Sequence, residues 1–263
     1  MDGGQVRRDA SASPGEDPLA ATWLGRIAYR EAWELQKRLV DARVPDAIPD
    51  TLLLLEHEAV LTLGRNADEA HVLASPRELR RRGVEVIRVE RGGEVTYHGP
   101  GQLVAYPILR LAHRGILIRP LVRALEEAMI ETCGALGVGA TRRDGHPGCW
   151  VIEDGRPPRK IGALGIRVER GVSYHGIALN VDPDLREFEL IDACGMPGGI
   201  STSIAEELGR TAEAPSTEAV HRAADVFGVA FAATLGAGIE WHLPEALAAR
   251  LPNLPTLMAV GAA

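Results

Sequence analysis

The sequence predicts an α+β fold of mixed, mostly antiparallel sheets flanked by helices. Three observations lead there. Strand-like runs at residues 149–153, 160–168 and 172–181 follow one another across Asp154-Gly155 and Arg170-Gly171, dipeptides that supply the positive φ of tight hairpins. Only a few segments carry the 3.6-residue apolar period of a helix. Strands and helices also fail to alternate in the regular β-α-β order of a doubly wound sheet.

Taken in chain order, residues 1–18 are polar and rich in Gly, Ser and Pro, and are expected to form a flexible tail. A single folded domain is expected over 19–235. Residues 29–43 are helical by period, with Ala32, Trp33, Gln36, Leu39 and Val40 along one side and Pro45 after the stop. The runs 51–56 and 59–63 read as short buried strands. Ser75-Pro76-Arg77-Glu78 is a capping box with proline at the first helical position, and Gly83 ends that helix. Residues 84–90 and 102–108 read as strands on either side of a glycine-rich segment. A longer helix over 120–136 carries Leu121, Leu125, Met129 and Leu136 on its apolar side. Ser203 and Glu206 form a second capping box, closed by Gly209, and 216–235 is another amphipathic helix. From about Gly236 no clear period remains, and 236–263 is expected to be a loosely ordered extension.

Composition limits the function classes. The chain has 263 residues, 46% hydrophobic and 25% charged, which is ordinary soluble globular material with enough apolar residues for a core. A formal net charge of −7 argues against general nucleic-acid binding. Residues 71–123 nevertheless hold ten Arg against four Glu, a basic region suited to docking an acidic partner. A set of solvated helix faces would give the same count. Three cysteines without a C-x-x-C pair fit a reducing compartment and neither a disulfide scaffold nor a zinc site. No H-x-H or H-x-x-x-H pair suggests a metal, and neither phosphate-loop motif is present, so no metal or cofactor is expected. Arg7-Arg8 is not followed by an apolar run, and no run has the length of a membrane span. A cytoplasmic protein without membrane or nucleic-acid partners is expected.

The segment RGGEVTYHGPGQLVAYP at 91–107 is the most informative stretch. Its glycines let the backbone turn sharply and approach a ligand closely, while Arg91, Tyr97 and His98 add charge, an aromatic wall and a titratable ring. Cys194, in DACGMPGGIS, precedes a glycine-rich loop whose N–H groups could face a developing oxyanion. It is either a nucleophile or a buried loop cysteine; Cys133 and Cys149 fall in a helix and a strand and read as core residues. Lys160 opens a strand that continues through Gly162, Ala163, Leu164 and Gly165. It is one of two lysines in an arginine-rich chain. A solvated strand-end lysine is the plain alternative, but lysine, unlike arginine, can release its proton. His98 and His175 both sit in Tyr-His-Gly steps; either could be a base, and a hydrogen-bonded structural role is the better reading for His175.

These residues, in order and spacing, resemble the octanoyltransferases of lipoate biosynthesis (the lipoate biosynthesis protein B family). The likeness runs over roughly residues 24–208, through RGGEVTYHGPGQ, PRKIGALGIRV, VSYHGIALNV and DACGMPGGISTSI. The resemblance implies an α+β fold similar to biotin and lipoate protein ligase catalytic domains. It implies transfer of an octanoyl group from octanoyl-acyl carrier protein to a cysteine, then to a lysine of lipoyl domains in 2-oxoacid dehydrogenase E2 subunits and glycine cleavage H protein. Cys194 falls on the family's acyl-thioester nucleophile and Lys160 on the lysine that lowers its pKa. Arg91, Gly92, Gly93, Glu94, Val95, Thr96, Tyr97 and His98 fall on its substrate-binding segments, as do Ala163, Leu164, Gly165, Gly176, Ile177 and Ala178. On this reading 91–107 is the floor of an acyl pocket rather than the catalytic centre. Three rivals remain: an ATP-dependent lipoate or biotin ligase of the same fold, a carrier-protein binding module, and a cysteine hydrolase. The loop cysteine and the missing nucleotide loop argue against the first, and the presence of both Cys194 and Lys160 against the second. The third would want a Cys-His pair with an orienting Asn or Asp, and would release octanoate to water.

Overall fold

A computed structural model describes residues 17–195, 198–210 and 215–251. The expected tail at 1–16 and the last residues from 252 lie outside the described residues. The chain opens with a strand that the sequence did not single out, β1 (Leu19–Ile27), followed by α1 (Tyr29–Arg43), whose bounds match the period. The α1 face adds Leu35 to the expected set and leaves Trp33 half-buried, its indole N–H donating to Glu90 Oε1 at 3.1 Å. Next come β2 (Thr51–His57), β3 (Val60–Leu63), α2 (Pro76–Arg82) and β4 (Glu85–Arg88). Ser75 Oγ accepts from the Glu78 N–H, and Gly83 ends α2 at φ +69°, as the capping signals require.

The glycine-rich segment contains a strand of its own, β5 (Val95–His98), ahead of β6 (Gln102–Ile108) and α3 (Ile118–Ala135). Then follow β7 (Thr141–Arg143), β8 (His146–Val151), β9 (Arg159–Glu169) and β10 (Val172–Asn180). Arg170 and Gly171 turn the β9–β10 hairpin at φ +49° and +82°. The two-residue β11 (Ile200–Ser201), which the sequence did not single out, is followed by the expected helices α4 (Ile204–Glu207) and α5 (Thr217–Thr234). Beyond Gly236 the structure departs from a loosely ordered extension. It adds β12 (Ile239–Trp241), parallel to the outer edge of β1, and α6 (Pro244–Ala249). Elements of three and six residues are too short to leave a period.

A nine-stranded sheet runs β12-β1-β2-β6-β10-β9-β8-β7, with β11 parallel to the start of β9; a second sheet runs β4-β3-β5. The continuous apolar run of β2 divides between two cores, as a strand covered on both faces must. Leu52 and Leu54 pack with α3 and α5, and Leu53 and Leu55 pack with α1 and α6. The small sheet has its own cluster of Leu61, Leu63, Val95 and Tyr97 beneath Leu190 and Ile191. Among the described residues no helix is long and apolar enough to cross a membrane, and no group of three or more His, Cys, Asp or Glu converges as a metal site would need.

Candidate active site

Where β5 and its preceding loop meet β9 and β10, the two sheets border a half-open cavity of about 230 Å³. Close backbone approach makes it possible. A Cβ on Gly165 would lie 2.5 Å from the Gly92 carbonyl oxygen, so only glycine lets the 91–93 loop lie on β9. There the Gly92 N–H donates to Ile166 O at 3.1 Å. A Cβ on Gly176 would likewise collide with the Ala105 carbonyl.

Of the expected binding residues, Arg91, Gly93, Glu94, Val95, Thr96 and His98 line the cavity from the loop and β5. Ala163, Leu164 and Gly165 line it from β9, and Gly176, Ile177 and Ala178 from β10; Lys160 stands at the β9 start. Two expected residues do not line it. Tyr97 points to the opposite face of β5, into the small-sheet core and edge-on to Phe188 at 5.5 Å, because successive side chains of a strand face opposite ways. Gly92 serves through its backbone bond to β9 instead. Tyr106, from the segment read as the pocket floor, also lines the cavity, as do Tyr29, His175 and the 145–147 turn, which were not assigned to the pocket from sequence. Asp144-Gly145, a hairpin dipeptide, was a usable signal for that turn; Tyr106 lies within the 91–107 segment read as the pocket floor, and nothing in the sequence singled out Tyr29.

Arg91 is buried and spent on structure as well as on the wall. Its Nη2 donates to Thr62 O at 2.7 Å and to Thr62 Oγ1 at 2.8 Å, and its Nη1 to Gly92 O at 3.0 Å. Lys160 is half-buried, its Nζ 5.1 Å from the centre of the Trp150 ring. Its backbone is tied to the chain after Cys194: Ser201 pairs with Lys160, and the Thr202 N–H donates to Lys160 O at 2.9 Å. The backbone of Cys194 lies in a 3-10 turn, Ala193–Gly195. That turn is anchored by the Asp192 N–H to His71 O at 2.8 Å. A Cβ on Gly195 would stand 3.3 Å from Glu94 Cγ, so the turn rests against a residue of the cavity wall. Cys133 and Cys149 are buried in the core, and a mutual hydrogen bond together with burial pushes the Cys149 thiol up, away from reactivity.

The hydrogen-bond network assigns the proton on His98. Asn180 Nδ2 donates to Thr202 O at 2.8 Å, so Asn180 Oδ1 must accept from Gln102 Nε2 at 2.9 Å. Gln102 Nε2 also donates to Tyr97 O at 3.3 Å, so Gln102 Oε1 faces His98 Nδ1 at 2.7 Å. The proton therefore sits on Nδ1 and leaves Nε2 as an acceptor. Burial, then the neighbouring His57 and Arg91, holds the ring neutral, well below the usual histidine range. Such a ring can orient an N–H donor; it cannot offer a positive charge. His57 behind it is held down to about 4 by burial, donating from Nδ1 to Ile27 O and accepting the Tyr106 hydroxyl at 2.7 Å on Nε2.

A half-open, largely apolar cleft lined by the neutral His98, with Lys160 on its wall, is suited to hold an acyl tail beside an amine. Residues 28–225 match the model of the lipoyl protein ligase A/B catalytic domain, and the chain belongs to that family. Within it, the chain is 46% identical over 242 residues to an octanoyltransferase of Acidobacterium capsulatum, covering 89% of this chain and 96% of the relative. It is 49% identical over 193 residues to an octanoyltransferase of Chloroflexus aurantiacus, covering 73% and 85%. Among solved structures it resembles the bipartite lipoate protein ligase of Thermoplasma acidophilum. That TM-score is 0.61 at 16% identity, with 90% and 91% of the two chains covered, a likeness of fold. A lipoate-protein ligase A bound with ATP gives a TM-score of 0.58 at 16% identity, covering 90% of this chain and 94% of the other.

Proposed function

We propose that the protein is an octanoyltransferase that takes an octanoyl group from octanoyl-acyl carrier protein and delivers it to a lysine of lipoyl domains through a thioester on Cys194. The observation that carries this reading is the wall shared by one cavity: Lys160 opens on it, and the turn of Cys194 rests against its Glu94. In the first step the Cys194 thiolate attacks the donor thioester, a new C–S bond forms, and the carrier thiolate leaves and is protonated. In the second, the acceptor amine attacks, the C–N bond forms, and the Cys194 thiolate departs while the amine proton passes to Lys160. An unperturbed thiol, with a pKa of about 8.5, is mostly protonated at neutral pH. A lysine ammonium beside it favours the thiolate, and Lys160, once it has lost its proton, is the base of the second step. Exchange of one thioester for another is close to balanced, and amide formation runs downhill, so no ATP is consumed.

Within the basic 71–123 region, the exposed Arg77, Arg80 and Arg81 of α2 suit an acidic carrier protein, whereas the side chains of Arg91 and Arg114 are buried. The acceptors are the lipoyl domains of 2-oxoacid dehydrogenase E2 subunits and glycine cleavage H protein, and the reaction runs in the cytoplasm. Incubation with octanoyl-acyl carrier protein without ATP, followed by intact-mass and peptide mass spectrometry, tests the reading. An octanoyl adduct on the Cys194 peptide, lost in Cys194→Ala, is expected. Transfer that requires ATP, or full turnover by Cys194→Ala, would overturn it.

A further inference from the structure

Lys160 is placed by its neighbours on β8, and the strand register shows how. Cys149 pairs with Gly162 and Trp150 with Lys160, one step along β8 against two along β9, so Ile161 has no opposite residue. In an unbroken ladder Lys160 would stand opposite Val151, which belongs to the main core. A one-residue slip moves side chains to the other face of a sheet, and bulges beside functional sites re-aim a side chain in this way. Here the bulge sets Lys160 directly across from Trp150, where paired side chains on one face meet.

Trp150 is a fixed platform. It is 2% exposed, and its indole N–H donates to His146 O at 2.9 Å. The Lys160 Nζ lies over the ring, 5.1 Å from its centre, and the Arg143 guanidinium carbon lies over it at 4.9 Å. Because β8 runs between β9 and β7, the two cations reach the ring from the strands on either side. The lysine stem is bounded as well. Gly148 has φ +125°, and a Cβ there would collide with Gly162 O and stand 2.9 Å from Lys160 Cε. The Gly148 N–H donates to Oε1 of the buried Glu126 at 3.1 Å, which holds that close approach in place. A flexible side chain is thus confined by a glycine and an aromatic face of one strand.

We propose that Trp150 is a positioning residue for Lys160, its indole face holding the ammonium at the cavity wall. The inference rests on the reading of Lys160 as the base of octanoyl transfer. A cation over a ring face within about 6 Å of its centre is attracted by the ring quadrupole, most strongly for tryptophan. An unconfined lysine stem spreads over many rotamers and keeps its nitrogen at the reacting atoms for only part of the time. Trp150 itself does not line the cavity, whereas Lys160 does, so the ring acts through the lysine.

Two substitutions lose similar volume and differ in the ring. Trp150→Leu removes the aromatic face, and kcat for octanoyl delivery should fall roughly 3- to 30-fold. The KM for octanoyl-acyl carrier protein should change little, because no residue lining the cavity is altered. Trp150→Phe keeps a ring face and should recover most of the loss. Equal losses in the two variants, or an unchanged kcat in a folded Trp150→Leu, overturns the proposal. NMR supplies a reading that needs no variant of Trp150. The chain has two lysines, Lys37 and Lys160, so isotope labelling of lysine yields two ε-methylene signals, which Lys37→Arg assigns. The indole ring current should displace the Lys160 signal upfield in the parent, and the signal should return toward the random-coil position in Trp150→Leu. The Lys37 signal, from a side chain over Trp33, should stay where it is. A parent Lys160 signal at the random-coil position refutes the platform even if neither variant folds. If the parent transfers no octanoyl group, the functional reading itself fails and takes this inference with it. If octanoyl is transferred and the Lys160 signal is not displaced, this inference alone is wrong.

Discussion

Gly165 and Gly134 should respond in opposite directions to the same substitution. In Gly165→Ala the new methyl would sit 2.5 Å from the Gly92 carbonyl oxygen, where ordinary contact begins at 3.4 Å, with Arg91 Cδ also at 3.4 Å. The obstacle is backbone rather than a flexible side-chain end. The 91–93 loop must therefore lift from β9 and strain the 3.1 Å bond from the Gly92 N–H to Ile166 O. Overpacking of this kind costs about 1–3 kcal/mol. At about 2–4 °C per kcal/mol for a chain of this size, the melting temperature should fall by about 2–12 °C. The transfer rate should fall as well, because the lifted loop carries Arg91 and Gly93 of the cavity wall. In Gly134→Ala the methyl meets nothing within 4 Å, and the residue lies in α3. Alanine there should raise stability by about 0.5–1 kcal/mol through helix propensity and leave transfer unchanged. Thermal unfolding of parent and both variants, with transfer measured alongside, decides the matter. If Gly165→Ala melts at or above the parent temperature, the loop does not depend on that close approach and the account of the cavity wall is wrong.

Two further outcomes are expected. Lys160→Arg keeps the positive charge but cannot give up a proton, so the Cys194 adduct should still form while delivery to the acceptor lysine nearly stops; full turnover in a transfer assay would reduce Lys160 to a structural residue. Stability should fall as the pH drops from about 6.5, where an unfolded histidine gains its proton, to about 4, where buried His57 does. The unfolded state binds more protons across that window, so His57 alone removes roughly 3 kcal/mol, and nothing more below it. Urea unfolding of the parent and of His57→Gln at several pH values checks this, an identical slope in the two proteins being the contrary result.

Helices with chemical punctuation were legible in the sequence. Ser75 with Gly83, and Ser203 with Gly209, mark their ends by cap and left-handed glycine, and α1 and α5 by period. The β8–β10 meander was legible from its hairpin dipeptides. The first strand was not, since β1 earns its place by pairing with β2, a long-range event that leaves no local pattern. The candidate site was legible where glycines thin its wall. It was illegible where a residue's facing decides: Tyr97 lies one position from His98 yet belongs to another core, and His175 lines the cavity with a left-handed backbone that no sequence pattern announces. Tyr29 reaches the cavity from a helix whose own pattern speaks only of core.

The large sheet ends in a three-residue strand on either side, β12 at one margin and β7, with Arg142 and Arg143, at the other. Long apolar margins template the association of chains with one another, and proteins blunt them with short or charged strands. Behind β12 lies β1, whose first residues, Leu19, Ala20 and Ala21, are buried and apolar. The Leu19–Ala21 edge is shielded by Ile239–Trp241 and by the His242 N–H bonded to Ala21 O. Residues 239–242, in the stretch that looked least informative in the sequence, thus cover an apolar strand margin and line no part of the cavity.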